Sequence, residues 1–313
     1  MKLAHFSEEK LVASLVRGLP LASDVRVGPG DDCAVIGRPR DATWLLLKTD
    51  AVIEGVHFLP TDAMRRVGWK ALCRAISDIG AMGGEPRHAL VTIALSPEME
   101  VAQARELYAG LRRAAREFGV SIVGGETARS PGPMFVNVAL TGSVDRSRCV
   151  LRSGARPGDV LFVTGRLGGS RAGHHLDFRP RVAEARWLTT NSKLRAMMDL
   201  SDGLAADLPR LAAASGCSYH LNEAAVPRNR GCSTAQALSD GEDYELLLAL
   251  RARDASPLEI RWGAKFPRLP LTRIGVLEPL TAKSSEVPPH RAPSGTTQGQ
   301  RTLNSLRGFD HFA

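Results

Sequence analysis

Gly28-Pro29-Gly30-Asp31-Asp32-Cys33-Ala34 sets a tight two-glycine bend, then two adjacent carboxylates, then the apolar run Ala34-Val35-Ile36. Adjacent aspartates repel each other, and each loses hydration where the chain around it is buried. A cation between them relieves both costs, and a hard divalent ion such as Mg2+ is the usual one. Asp-Asp after glycine is also ordinary turn chemistry. The segment alone reads either as a solvated turn or as one wall of a cation site, so the acids downstream have to decide.

Upstream, Ser7-Glu8-Glu9-Lys10 opens a helix: Ser7 can cap it, two acids favour its positive end, and Leu11, Leu15 and Val16 are its apolar residues. Downstream, Thr43-Trp44-Leu45-Leu46-Leu47-Lys48 is a continuous apolar run that fits a buried strand ending at Thr49-Asp50. Asp62 starts a long helix in which Val67, Ala71, Ala75 and Ile79 recur every four residues as a core face. Ser77 and Asp78 fall near its end, and Gly80, Gly83, Gly84 and Pro86 stop it. A strand over 88–95, a helix over 98–118 and a strand over 120–123 follow, the last feeding Gly124-Gly125-Glu126-Thr127; 134–144 reads as another strand.

Arg152-Ser153-Gly154-Ala155-Arg156-Pro157-Gly158-Asp159 breaks the composition and sets the expected boundary between a domain of residues 1–150 and one of residues 151–313. The second begins with a strand over 160–164 and the glycine-rich 165–170, then a helix over 182–188 and a strand over 196–200. Ser201-Asp202-Gly203-Leu204 leads into a helix toward Ala214, with Pro209 in its first turn or kinking it. Strands over 243–250 and 271–276 complete the pattern. Strands alternating with helices in both halves predict an α/β (α+β) protein of mixed sheets flanked by helices. Residues 281–300, rich in Pro, Ser, Thr and Gly, predict a loop or disorder.

The chain has 313 residues, enough for two domains, and its 43% hydrophobic and 24% charged content is that of a globular protein. No apolar run approaches the ~20 residues of a membrane span, and Met1–Phe6 lacks the features of a secretory signal. Cys33, Cys73, Cys149, Cys217 and Cys232 are scattered without a Cys-x-x-Cys pair, which argues for reduced thiols in a cytoplasm. A net charge of +8 raises nucleic acid as a partner, but the basic residues are spread out and aromatics are only 5%. The expectation is an Arg-rich surface and anionic small substrates, with neither nucleic acid nor membrane as partner.

The chemistry concentrates in acids flanked by Gly, Ser or Thr at the expected ends of elements: Asp31-Asp32, Thr49-Asp50, Ser77-Asp78, Gly125-Glu126-Thr127, Asp199-Leu200-Ser201-Asp202 and Gly241-Glu242-Asp243-Tyr244-Glu245. Any one of them serves equally as a helix cap or turn residue. Six in one pattern suit several Mg2+ ions shared with substrate phosphates.

The motifs Gly-Pro-Gly-Asp-Asp-Cys-Ala, Lys-Thr-Asp-Ala-Val-Ile-Glu-Gly-Val-His-Phe, Ser-Asp-Ile-Gly-Ala-Met-Gly-Gly, Met-Asp-Leu-Ser-Asp-Gly-Leu-Ala-Ala-Asp-Leu and Asp-Gly-Glu-Asp-Tyr-Glu-Leu-Leu resemble, in order, those of the thiamine-monophosphate kinase family. The terminal Gly308-Phe309-Asp310-His311-Phe312-Ala313 is similar as well. That family belongs to the superfamily of aminoimidazole ribonucleotide synthase, selenophosphate synthetase and the hydrogenase maturation factor, and lacks the P-loop, as this chain does. The resemblance implies a fold like aminoimidazole ribonucleotide synthase, a homodimer formed through the first domain, and Mg2+-assisted transfer from ATP to thiamine monophosphate. It also implies Asp32, Lys48, Thr49, Asp50, Asp78, Glu126, Asp199 and Asp202 at the metals. Gly125, Glu126, Arg152 and Ser201 would meet the nucleotide, and His57, Glu242 and Phe309 the thiamine. Without the resemblance, His57 reads as a core or surface histidine and Phe309 as tail packing.

The chain departs from the family pattern at four places. Glu126 stands for the usual Asp, Lys48 for Ser or Thr, Asp240 for Gly, and Phe309 for an aromatic residue with a polar edge. Lys48 would put an ammonium beside the metals, and Asp240 a side chain where the backbone needs glycine's freedom. Within the superfamily, the hydrogenase factor's C-terminal cysteine and selenophosphate synthetase's reactive N-terminal Cys or Lys are missing. Aminoimidazole ribonucleotide synthase shares the acids but not Glu54-Gly55-Val56-His57-Phe58. From another class, Glu126 and Lys48 fit a catalytically impaired nucleotide-binding homologue.

Overall fold

A computed structural model describes residue 3 and residues 7–280, so Phe309 and the expected loop at 281–300 lie outside the described residues. The chain divides into two compact units. A six-stranded unit spans Asp24–Cys149 and Gly173–Thr190. A five-stranded unit gathers the described residues up to Ser23, Val150–Ala172 and those from Asn191 onward.

The first helix, α1 (Glu8–Val16), goes with the five-stranded unit. Ser7 occupies its N-cap position but its hydroxyl makes no capping bond; the Ser7 carbonyl accepts from the Leu11 amide at 3.0 Å instead. Leu15, one of its apolar residues, is exposed.

The six-stranded unit contains β1 (Val25–Val27), β2 (Ala34–Ile36), β3 (Thr43–Ile53), α2 (Met64–Ala81), β4 (Glu85–Leu95), α3 (Val101–Phe118), β5 (Ser121–Arg129), β6 (Phe135–Asp145) and α4 (Val182–Asn191). Its sheet has the order β1-β2-β3-β6-β4-β5. All neighbours are antiparallel except β4 and β5, which are parallel and therefore need the helical crossover that α3 supplies. Helices α2 and α3 pack closely because each offers the other a glycine. A Cβ at Gly68 would sit 1.9 Å from the Leu107 carbonyl oxygen, and one at Gly110 1.9 Å from that of Arg65.

Among the boundaries that differ from the sequence reading, three concern elements of the candidate site. β3 does not end at Thr49-Asp50: its ladder with β6 continues to Ile53 opposite Phe135, so these two residues lie inside a strand. β5 likewise carries Gly124-Gly125-Glu126 within the strand, paired with Leu90 to Thr92, rather than in a loop after it. Helix α2 starts at Met64, because Asp62 spends its carboxylate on the Leu59 amide (2.7 Å), closing a turn just ahead.

The five-stranded unit continues with β7 (Asp159–Thr164), β8 (Leu194–Asp199), α5 (Leu204–Ala214), β9 (Cys217–Leu221), α6 (Thr234–Ser239), β10 (Leu246–Arg251), α7 (Ala252–Lys265) and β11 (Leu271–Pro279). Its sheet is antiparallel throughout, in the order β8-β10-β7-β11-β9. Leu161 and Val163 of β7, Met198 of β8, Leu247 of β10, Ile274 of β11, and Leu208 and Leu211 of α5 share one core. Pro209 lies beyond the first turn of α5. β9, α6 and α7 have no counterpart in the sequence reading. The strand expected from Asp243 begins only at Leu246, since Gly241, Glu242 and Tyr244 hold φ of 69°, 54° and 50°, which no strand tolerates. The architecture is thus mixed α/β, two sheets flanked by helices. Among the described residues, no helix is long and apolar enough to cross a membrane.

Candidate functional site

Two periodicities assemble the acids of the six-stranded unit. Side chains alternate across a strand, so Leu46, Lys48, Asp50 and Val52 of β3 share one face, and buried Leu46 and Val52 identify it as the inner one. On α2, which packs against β3, Arg74 and Asp78 are four residues apart and hence on one helical face. Lys48 Nζ donates to Asp78 Oδ1 at 2.8 Å and lies 3.7 Å from Asp50 Oδ2. Arg74 Nη2 reaches the other Asp50 oxygen, also at 3.7 Å. Asp32, delivered by the bend before β2, is buried with one carboxylate oxygen within 4.8 Å of one from Asp78. Asp31 serves the bend itself, accepting from the Asp32 amide at 3.0 Å.

The charges tune one another. Burial pushes Asp50 up, but Lys48 and then Arg74 outweigh it and hold the carboxyl below its ordinary value. For Lys48, burial works against the charge, yet Asp78 and Asp50 prevail and keep the ammonium protonated far above its ordinary range.

Three of the residues anticipated with them stand elsewhere. Strand alternation sends Thr49 to the opposite face, where its hydroxyl donates to Asn137 Oδ1 at 3.0 Å; only the Thr49 backbone is near its neighbour's acid. Gly125 and exposed Glu126 lie on edge strand β5, three strand spacings or about 14 Å across the sheet from β3. Gly125 has to be glycine: a Cβ there would lie 1.8 Å from the Val91 carbonyl oxygen.

His57 follows β3 in a tight turn and is buried. Its Nδ1 accepts from the Ile53 amide at 3.1 Å, which puts the ring proton of the neutral form on Nε2. Lys70 of α2, entirely buried, donates to the His57 carbonyl at 2.5 Å and meets His175 Nδ1 at 2.7 Å. The sequence reading missed this lysine. Its signal was available in the helical period: Lys70 sits between the core positions Val67 and Ala71, where a solvated lysine does not belong.

In the five-stranded unit, buried Asp199 ends β8 opposite Leu246, and Ser201 and Asp202 lead into α5. The Gly241–Tyr244 stretch, left-handed at all but Asp243, is pinned against them. The Glu242 amide donates to the Ser201 carbonyl (2.6 Å), and the Tyr244 amide to that of Leu200 (2.8 Å). Glu242, Asp199, Ser201 and Asp202 therefore share one corner of this unit. Arg152 lies before β7, and its carbonyl accepts from Ser215 Oγ at 3.2 Å. Asp202 is ion-paired with Arg210, which also holds Asp207 (2.9 Å) and Glu9 (3.2 Å). Asp207 accepts from the Asp202 amide at 3.0 Å, and burial, reinforced by Asp202, pushes its carboxyl up to about 8. Neither Arg210 nor Asp207 had an assigned role in the sequence reading.

Asp240 does not need glycine's freedom. Its backbone is right-handed helical (φ −62°, ψ −35°), and its carboxylate accepts from the Gly169 amide at 2.9 Å. Asp243 does the same for Gly168 at 2.8 Å, so two acids cap the amides of the glycine-rich loop after β7.

Comparison with known proteins places this geometry in context. Residues 30–144 match the family described as AIR synthase related protein, N-terminal domain. The thiamine-monophosphate kinase of Rhodopirellula baltica is 37% identical over 269 residues, 80% of this chain and 83% of that protein. The thiamine-monophosphate kinase of Salmonella typhimurium is 31% identical over 93% of both chains. A solved structure, AaThiL complexed with AMPPCP and TMP, superposes with a TM-score of 0.79 at 30% identity, covering 99% of each chain.

Proposed function

The chain belongs to the thiamine-monophosphate kinase family, and on that footing we propose that it phosphorylates thiamine monophosphate with ATP, giving thiamine diphosphate by direct in-line transfer. The observation that carries the reading is the pair of buried carboxylates, Asp32 and Asp78, with oxygens within 4.8 Å and Asp50 on the facing strand. Ionised carboxylates so close and so dry are costly unless cations attend them.

The donor set is hard oxygen without thiolate or imidazole, which suits Mg2+ rather than zinc or copper. Asp32, Asp50 and Asp78, with the backbone of Lys48 and Thr49, are the proposed ligands in the six-stranded unit. Glu126, Asp199 and Asp202 are proposed to contribute further ones. Bound Mg2+ supplies neutralisation of two mutually repelling phosphates.

The chain's own residues bind and orient. The acceptor phosphate oxygen is already ionised, so neither a side-chain nucleophile nor a strong base is assigned. Gly125, Glu126, Arg152 and Ser201 are proposed to meet the nucleotide, and His57, Glu242 and Phe309 the thiamine. A buried His57 with Nε2 protonated offers a fixed donor. We place the enzyme in the cytoplasm as a homodimer. Support for the dimer comes from Leu45, Leu47 and Leu90, exposed on the sheet face opposite the buried Leu46, Ala89 and Val91.

The reading is tested by incubating the protein with ATP, Mg2+ and thiamine monophosphate and separating the thiamine phosphates after oxidation to fluorescent thiochromes. Thiamine diphosphate and ADP in equal amounts are expected. An impaired homologue is favoured by Lys48 among the acids and by exposed Glu126. It would bind ATP and form no diphosphate.

A further inference from the structure

We propose that Lys48, seconded by Arg74, is a resident counter-cation of the acid cluster that takes the place one divalent ion would otherwise hold. The proposal rests on the reading of Asp32, Asp50 and Asp78 as Mg2+ ligands.

The geometry is that of an occupied position. Asp50 has a cation on each oxygen, Lys48 Nζ at 3.7 Å and Arg74 Nη2 at 3.7 Å, while the same Nζ is 2.8 Å from Asp78 Oδ1. The Lys48 ammonium thus links acids from two different elements, as a shared metal ion does. Its side chain is 21% exposed and those of Asp50 and Asp78 are 16% and 9%, too little water to screen the contacts. Neither end of the arrangement is free to drift. β3 alternation fixes Lys48 on the inner face between Leu46 and Asp50, and the helical period fixes Arg74 under Asp78.

Charge counting gives the consequence. Three carboxylates and two cations leave this group at a net charge of −1; removing the ammonium makes it −2, the charge that a further divalent ion neutralises. An ammonium donates hydrogen bonds and accepts no ligand role, so it takes lone pairs on Asp78 that an ion would use. A carboxylate offers about four such sites, which leaves Asp78 and Asp32 able to serve one ion beside Lys48. A neutral side chain at position 48 would return the remaining sites to metal.

The test counts Mn2+, a spectroscopic probe for Mg2+, bound per chain by electron paramagnetic resonance at saturating non-hydrolysable ATP analogue. Wild type is compared with Lys48→Met, Lys48→Thr and Lys48→Arg. We expect the Met and Thr variants to bind one more Mn2+ than wild type, or their weakest ion about tenfold tighter, and Lys48→Arg to keep the wild-type count. Equal counts and affinities in wild type, Met and Thr variants overturn the proposal while leaving the metal reading intact. No Mn2+ bound by any of them overturns both. Because Lys48→Met strips Asp50 and Asp78 of a partner, its melting temperature is also followed with and without Mn2+. Mn2+ should raise it by more than it raises the wild type's, and equal increments contradict the proposal.

Discussion

Lys70 Nζ donates to the His57 carbonyl over 2.5 Å and ties the turn after β3 to the interior of α2. The same nitrogen meets His175, so one buried amine holds two chain segments that bear histidines. Lys70→Met keeps the stem and removes the donors. A buried carbonyl left without its donor costs about 1–3 kcal/mol, which denaturant unfolding would register as a lower midpoint. Because the His57 turn then loosens, KM for thiamine monophosphate is expected to rise more than kcat falls. Unchanged stability and unchanged KM would show the tie to be idle.

Asp240 caps the Gly169 amide from a right-handed backbone, so restoring the family's glycine there should harm rather than help. Asp240→Gly loses a hydrogen bond made by a carboxylate and adds unfolded-state entropy, together about 1–3 kcal/mol of stability. Thermal unfolding of the variant checks this, with a lower melting temperature expected and no gain in turnover.

Asp243 is predicted to make the fold more sensitive to alkali. Burial pushes its carboxyl up to about 8, against an ordinary value of 3.8, despite the Gly168 amide that favours its charged form. The folded state therefore holds a proton that the unfolded chain releases, so this contribution is present at low pH and is lost as pH rises toward 8. Asp243→Asn stays neutral and keeps an oxygen for Gly168. The melting temperatures of variant and wild type should match near pH 4, diverge in the variant's favour up to about pH 8, and run parallel above it. A constant difference across that window would contradict the assignment.

Much of the fold is legible in the sequence because the strong signals are periodic. Val67, Ala71, Ala75 and Ile79 mark the buried face of α2, and the apolar run from Trp44 to Leu47 marks β3. What resists reading is set by pairing partners. Thr49-Asp50 looks like a strand end until β6 is seen to continue opposite it, and Gly124-Gly125-Glu126 looks like a loop until β4 claims it. For the candidate site, adjacency in sequence misleads in a similar way. Thr49 and Asp50 point to opposite faces, whereas Lys48 and Asp50, two apart, share one. The cations Arg74 and Arg210 carry no motif signal of their own; they become visible only through the acids they face.

Asp78 pairs with Lys48 and has a carboxylate oxygen within 4.8 Å of one from Asp32. The most direct measurement is that of the rates of thiamine diphosphate formation and of ATP consumption by wild type and by Asp78→Asn, with circular dichroism and melting to confirm that both are folded. We expect one diphosphate per ATP from wild type and a rate lower by more than about 100-fold in the variant, as the metal role proposed for the Asp78 carboxylate requires. Near wild-type turnover by folded Asp78→Asn, or ATP consumption by wild type without thiamine diphosphate, would contradict the account.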